Sequence, residues 1–155
     1  MIRSSIVALL SLLFLSACNG DYILNETKEV AGGDWAFEAP KSFTAEVTDT
    51  LTPQHFYLLL RHGGNYSYQN LIVIVKTYFP NNTFVADTID CPLADPSGKW
   101  YGSGLGDLLD NRIMFKRNVQ MPFAGTYKFE LQHAMRSDTI HEVYDVGIAI
   151  ESAVD

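Results

Sequence analysis

The sequence predicts an all-β protein, an antiparallel β-sandwich of the jelly-roll kind, and three observations support this fold class. Apolar and polar residues alternate with a two-residue period over seven or eight short segments. Gly, Pro, Asn, Asp and Ser, which favour turns, separate these segments. Helical periodicity is limited to one expected turn at 105–110. Many short strands with turns between them are typical of two packed antiparallel sheets.

The first half of the chain supplies four predicted strands. Segment 43–47 alternates apolar with polar residues, as on a strand with one buried face. Segments 54–61 and 71–79 are apolar at both odd and even positions, so each predicts a strand covered on both faces. Segment 83–89 lies between two turn sequences and again alternates apolar with polar residues, which predicts the fourth strand.

The second half supplies three more predicted strands. Segment 112–116 is a short candidate, and 126–135 places Tyr, Phe and Leu on one face with charged residues opposite. Segment 146–150 carries the last alternation. Between these halves, Asp95-Pro96-Ser97-Gly98 predicts a type I turn rather than a calcium loop, because it lacks the alternating oxygen ligands.

The N-terminus has the form of a lipoprotein signal peptide. A positive start is followed by an apolar run over 6–15, which is too short to span a membrane comfortably. The run ends in Leu15-Ser16-Ala17-Cys18, which resembles the bacterial lipobox. In proteins with that motif the Cys thiol receives a diacylglyceryl group, and cleavage leaves the Cys as the first residue. We therefore predict a signal peptide over 1–17 and a lipid on Cys18. The alternative is an ordinary secretory peptide with a Cys near its cleavage site.

The chain after the signal peptide divides into a tether and one folded domain. Segment 19–33 is polar, poorly periodic and ends in two glycines, so 18–33 predicts a lipidated Cys and a flexible tether. Residues 34–155 predict a single β-sandwich domain. Two or three acyl chains on Cys18 would anchor the protein stably to a lipid bilayer without crossing it. The absence of an acidic run after Cys18 favours the outer membrane, facing the periplasm.

Composition and charge exclude several classes of protein. A chain of 155 residues, 47% hydrophobic and 12% aromatic, is large enough to bury a core. Its net charge of −7 repels phosphate backbones, so we expect no nucleic-acid partner. With lipid on Cys18, Cys91 has no partner for an internal disulfide, and we interpret it as a buried thiol rather than half of a Cys/His nucleophile pair.

The sequence predicts no catalytic residue, no cofactor and no metal. The glycines of 98–107 match neither the Walker nor the dinucleotide spacing; they indicate a strand connection that needs positive φ or close backbone approach. Pairs of carboxylates lie at turn edges, and sequence spacing alone does not place them on either side of a bond. His133 and His141, even with Asp138 or Glu142 nearby, fit ordinary strand positions better than a metal site.

Six residues are candidates for an interaction surface: Trp100, Tyr101, Tyr66, Tyr68, Arg61 and Arg136. The four rings would stack on sugars if they were exposed together, although aromatic residues of all-β proteins first of all fill the core. Each arginine ends an apolar strand. There its guanidinium is expected to pair with a carboxylate such as Asp87 or Asp145.

Several short segments occur in a characteristic order along the chain: Leu60-Arg61, Asn65-Tyr66-Ser67-Tyr68-Gln69-Asn70-Leu71, Asp87-Thr88, Gly98-Lys99-Trp100-Tyr101-Gly102, Gly125-Thr126-Tyr127, Gln132-His133-Ala134-Met135-Arg136 and Asp145-Val146-Gly147. Together with the lipobox, this ordered set resembles the gliding-motility lipoprotein GldH family of Bacteroidetes over nearly the whole chain. The resemblance implies an accessory lipoprotein of envelope machinery that supports gliding and, in related organisms, surface protein export. It carries over no catalytic residue, and only the lipidation of Cys18 transfers.

Three hypotheses about function follow. The leading one is a non-enzymatic, membrane-anchored lipoprotein whose partners are the bilayer and other envelope proteins of one complex. The alternative is a glycan-binding β-sandwich module, which requires Trp100 and Tyr101 on one flat exposed surface. The third is an enzyme that uses Cys91 or the scattered carboxylates.

Overall fold

Ten strands account for most of residues 22–154, which are the residues described by this computed structural model. They are β1 (Tyr22–Glu29), β2 (Trp35–Ala36), β3 (Lys41–Val47), β4 (Gln54–Gly63), β5 (Asn70–Tyr78), β6 (Phe84–Pro92), β7 (Leu108–Val119), β8 (Gly125–His133), β9 (Thr139–Ile140) and β10 (Val143–Ser152). One turn of 3-10 helix, Ala31–Gly33, follows β1. The predicted signal peptide and Cys18 lie outside the described residues.

The strands form two four-stranded antiparallel sheets and a short ribbon. One sheet has the order β1-β10-β4-β7, the other has the order β3-β8-β5-β6, and β2 pairs with β9. The eight long strands pair in a nested way, since β1 pairs with β10, β3 with β8, β4 with β7, and β5 with β6. A long antiparallel ribbon rolled up in this manner is a jelly roll, so the predicted fold class is confirmed.

Alternation along the strands builds the core between the two sheets. Phe43, Ala45 and Val47 of β3 are buried, and so are Tyr127 and Phe129 of β8. Burying each large side chain contributes about 1.5–3 kcal/mol to stability. The two covered faces expected for 54–61 and 71–79 are found only in part, because β4 and β5 largely alternate buried residues with half-buried ones. Residues 146–150 of β10, where alternation was expected, are all buried. That strand is flanked by β1 and β4 on its two edges.

Three sequence expectations are corrected by the structure. The tether predicted over 18–33 is wrong for residues 22–33, because Tyr22–Glu29 pairs with β10 along its length. Its alternation is weak because β1 is an edge strand with mostly polar, exposed side chains, and its backbone hydrogen bonds hold it in place. The helical turn at 105–110 is also wrong, since β7 begins at Leu108. The strand predicted over 112–116 runs from Leu108 to Val119.

The connections between strands gather at two opposite ends of the sandwich. The end that we call the terminal end carries the loops 48–53, 79–83 and 120–124 beside the first and last described residues. The distal end carries the longer connections 30–40, 64–69, 93–107 and 134–142. Within residues 22–154, no helix has the length and apolar character needed to cross a membrane.

Candidate interaction surface

The connection between β6 and β7 dominates the distal end, and its first part is a tight turn. The backbone N–H of Gly98 donates to the Asp95 carbonyl at 2.9 Å, as the type I turn prediction requires. The Asp95 carboxylate accepts hydrogen bonds from Ser97 and from the Lys99 backbone N–H. These bonds, the Ser97 side chain first among them, lower the pKa of Asp95. Gly98 has φ of +88°, a conformation that favours glycine.

The second part of this connection runs against β7. Ser103 and Asp110 exchange two backbone hydrogen bonds of 3.2 and 2.9 Å. A Cβ at Gly102 would lie 2.8 Å from the Asn111 side chain, and a Cβ at Gly104 would collide with the Leu108 carbonyl. The glycines therefore allow the close backbone approach that their spacing predicts.

Two of the four candidate aromatic residues lie inside this end rather than on it. Tyr66 is 4% exposed and its hydroxyl donates to the Asn70 carbonyl, so its predicted place on a surface is wrong. Trp100 is half-buried, with its ring centroid 4.7 Å from that of His62 and 6.4 Å from that of Tyr66. The four rings therefore do not form the common platform that was the alternative to core placement, because Tyr66 lies in the core and Trp100 packs against it.

The large apolar side chains exposed at the distal end are those of Phe37, of Tyr68 and of the loop that follows Trp100. Tyr68 is 40% exposed and Tyr101 is 61% exposed. Leu105, between two glycines at the tip of the loop, is 93% exposed, and Leu108 is 39% exposed. Sequence reasoning missed both leucines. The sequence does contain a signal for Leu105, because this residue lies between Gly104 and Gly106. An apolar side chain in such a turn has no strand face on which it could be buried.

Arg61 lies beside this loop and is held by two carboxylates. Its Nε and Nη2 donate to Asp110 at 2.7 and 3.2 Å, and its Nη1 donates to Asp145 at 3.2 Å. The hydrogen bond to Asp110 is the largest cause of the raised pKa of Arg61. Of the two partners expected from the sequence, Asp145 is present, but Asp87 instead pairs with Lys116.

A groove of about 460 Å³ lies next to Arg61 and reaches Arg112. The Arg112 guanidinium is 2.6 Å from the Glu151 carboxylate and 3.9 Å from the Tyr57 ring centroid. Since nearby carboxylates balance both guanidinium groups, the groove is not an anion site. Arg136 is exposed in the loop after β8 and has no ion pair among the described residues. Its expected carboxylate partner is therefore not found there.

The remaining candidates for chemistry are separated or buried. The Cys91 side chain is fully buried, and burial raises its pKa to about 12, so the thiol stays protonated. His133 is buried against Trp35, whereas His141 is exposed and 2.7 Å from the Asp34 carboxylate. Across residues 22–154, no three His, Cys, Asp or Glu side chains are grouped to hold a metal ion.

Comparison with known proteins identifies relatives along nearly the full length. A sequence model of the family described as GldH lipoprotein matches residues 22–150. The gliding motility lipoprotein GldH homolog of Christiangramia forsetii is 27% identical over 97% of this chain and 96% of its own length. The gliding motility lipoprotein GldH of Flavobacterium johnsoniae is 28% identical over 97% of both chains. A chain in the structure of infectious bursal disease virus Gx strain aligns at 14% identity over 84% of this chain and 32% of its own length. The TM-score of this alignment is 0.29, which is too low to indicate a shared fold.

Proposed function

This chain belongs to the GldH lipoprotein family, and from that premise we propose that it is a non-enzymatic protein that contributes protein–protein contacts to an envelope complex for motility or secretion. Membership makes it a lipoprotein of the cell envelope. The finer location that we propose is the periplasmic side of the outer membrane, with the anchor on Cys18. The relatives from Christiangramia forsetii and Flavobacterium johnsoniae are both named as gliding motility lipoproteins, which supports the connection to motility.

The observation that carries the proposed contacts is the exposed apolar loop of the distal end. Leu105, Tyr101 and Leu108 are exposed on a connection that approaches β7 closely at Gly102 and Gly104 and is joined to it by the Ser103–Asp110 backbone hydrogen bonds. An apolar centre with tyrosine and a polar rim is typical of a protein interface. Arg61 beside it is already paired with carboxylates, so the surface offers shape and apolar area rather than a charged ligand site.

Site-specific crosslinking in membranes tests this proposal. A photoreactive amino acid at position 105 of the lipidated, full-length protein is expected to crosslink to other envelope proteins. The same group at position 51, which is exposed at the terminal end, is expected to give few or none of these products. In copurification, Leu105→Asp should lose the crosslinked partners, while Met114→Asp, at an exposed position in the middle of β7, retains them. Both side chains are exposed, so neither change disturbs the core.

Two results would contradict the proposal. Recovery of the wild-type protein only as a free monomer, without any crosslink from position 105, would remove the basis for a contact role. Equal loss of partners in Leu105→Asp and Met114→Asp would show that the distal loop is not the contact surface.

A further inference from the structure

The distance between the anchor and the folded body is short. Strand β1 begins at Tyr22, only four residues after Cys18. Four residues span at most about 14 Å when fully extended, because each residue adds no more than about 3.6 Å. With lipid on Cys18, as the proposed function requires, the terminal end therefore stays within this distance of the bilayer surface. The distal end is separated from the terminal end by roughly the length of β4, whose 10 residues extend about 33 Å.

The terminal end carries exposed apolar side chains on four different segments. The set is Leu51 (79% exposed), Phe84 (59%), Phe123 (41%) and Val154 (58%). Each belongs to a different segment: the β3–β4 loop, the start of β6, the β7–β8 loop and the C-terminal residues. Single exposed apolar residues are normal on a protein surface. Several large ones grouped at one end instead indicate a surface that contacts a partner or a membrane.

Hydrogen bonds and ring contacts hold these segments together as one surface. The Gln120 side chain donates to the Leu51 carbonyl at 2.9 Å, which joins the loops 48–53 and 120–124. The Ala153 backbone N–H donates to the Pro53 carbonyl at 2.8 Å, which joins the C-terminal residues to the first of these loops. The rings of Phe79 and Phe123 lie 6.2 Å apart between centroids.

The edge of the sandwich that follows the proposed anchor in sequence, strand β1, is polar rather than apolar. The exposed residues of edge strand β1 after Tyr22 are all polar: Asn25, Glu26, Thr27 and Glu29. A bilayer contact along that edge would desolvate charged groups without compensation. Contact through the terminal end buries apolar groups instead, so the chemistry favours one orientation.

We propose that the terminal end is a membrane-contacting surface, with Leu51, Phe84, Phe123 and Val154 seated in the headgroup and upper acyl region of the bilayer. The body then stands upright on the membrane and presents the distal loop away from it. The charged side chains exposed at this end are of both signs: Glu46 and Asp49 are acidic, and Arg117 and Lys128 are basic. A mixed rim of this kind suits zwitterionic lipid rather than strongly anionic lipid.

Fluorescence quenching in vesicles tests this orientation. The lipidated protein with Leu51→Cys, Phe123→Cys or Leu105→Cys is labelled with an environment-sensitive fluorophore, while buried Cys91 stays unlabelled. The vesicles contain phosphatidylcholine and phosphatidylethanolamine with quencher groups on the acyl chains. Labels at 51 and 123 should shift to shorter emission wavelength and lose intensity. The matched label at 105 should show neither change.

The outcomes separate the orientation from the anchor. If the labels at 51 and 123 are as weakly quenched as the label at 105, the membrane-contacting surface is refuted while the anchor stands. Mass spectrometry that finds no lipid on Cys18 of the wild-type protein refutes the anchor in the proposed function instead. Wild-type anchoring together with selective quenching at 51 and 123 supports both.

Discussion

Acidification is expected to destabilise the folded domain because two buried histidines stay neutral. His62 is 1% exposed and His133 is fully buried, and burial lowers the pKa of each ring. In the unfolded chain both take up a proton near pH 6.5, the ordinary value for histidine. Below that pH the unfolded state binds more protons than the folded state, so the free energy of unfolding decreases as the pH falls.

The size of this effect follows from proton linkage. At about pH 5.5, one unit below the unfolded pKa, each histidine reduces stability by up to about 1.4 kcal/mol, the limit for a ring that stays fully neutral in the folded state. The limit for the two together is about 3 kcal/mol, which corresponds to a decrease of the urea midpoint by about 1–3 M for an m value of about 1–3 kcal/mol/M. Carboxylates with lowered pKa, such as Asp95, lose their contribution only at more acidic pH.

Urea unfolding followed by tryptophan fluorescence measures this difference between about pH 7.5 and about pH 5.5. The chain has two tryptophans, and each lies against one of the two histidines: Trp100 against His62 and Trp35 against His133. His62→Gln should remove about half of the pH dependence, whatever its effect on stability at neutral pH. The reasoning is refuted if the urea midpoint is the same at both pH values. A change in folded-state fluorescence with pH would also refute it, because the histidines would then titrate in the folded protein.

Three further predictions concern packing, charge and the thiol. Gly147→Ala should destabilise the domain by about 1–3 kcal/mol in urea unfolding, because the new Cβ would collide with β1. Gly64→Ala should change stability by less than about 0.5 kcal/mol, because its new Cβ would make only ordinary van der Waals contact. Asp110→Asn should cost only about 0.2–1 kcal/mol, and less at high salt, because its pair with Arg61 is exposed to solvent; a loss that is insensitive to salt would contradict this. Cys91 should resist alkylation by iodoacetamide in the folded protein and react readily in urea, as mass spectrometry would show.

The fold could be predicted because alternation reports burial directly. In β3 and β8 each apolar residue of the pattern lies in the core and each charged residue lies outside or half-buried. The turn at 95–98 could be predicted equally well, because the Asp95 carboxylate accepts local hydrogen bonds from the nearby backbone and from the Ser97 hydroxyl. Both features depend on residues close together in sequence.

Strand β1 could not be predicted because its stability comes from a partner far away in sequence. Only Leu24 on this strand is buried, and the pairing with β10 joins residues more than 100 positions apart. The candidate surface had the same limit. Whether Tyr66 or Tyr101 is exposed depends on the placement of His62 and the β6–β7 connection, which no local pattern encodes.

The pairing of the first strand with the last has a consequence for biogenesis. Since β10 lies between β1 and β4, one sheet stays incomplete until the C-terminal strand has been synthesised and can pair with both neighbours. Truncation before Val143 should therefore yield a product that proteases degrade rather than a smaller stable domain.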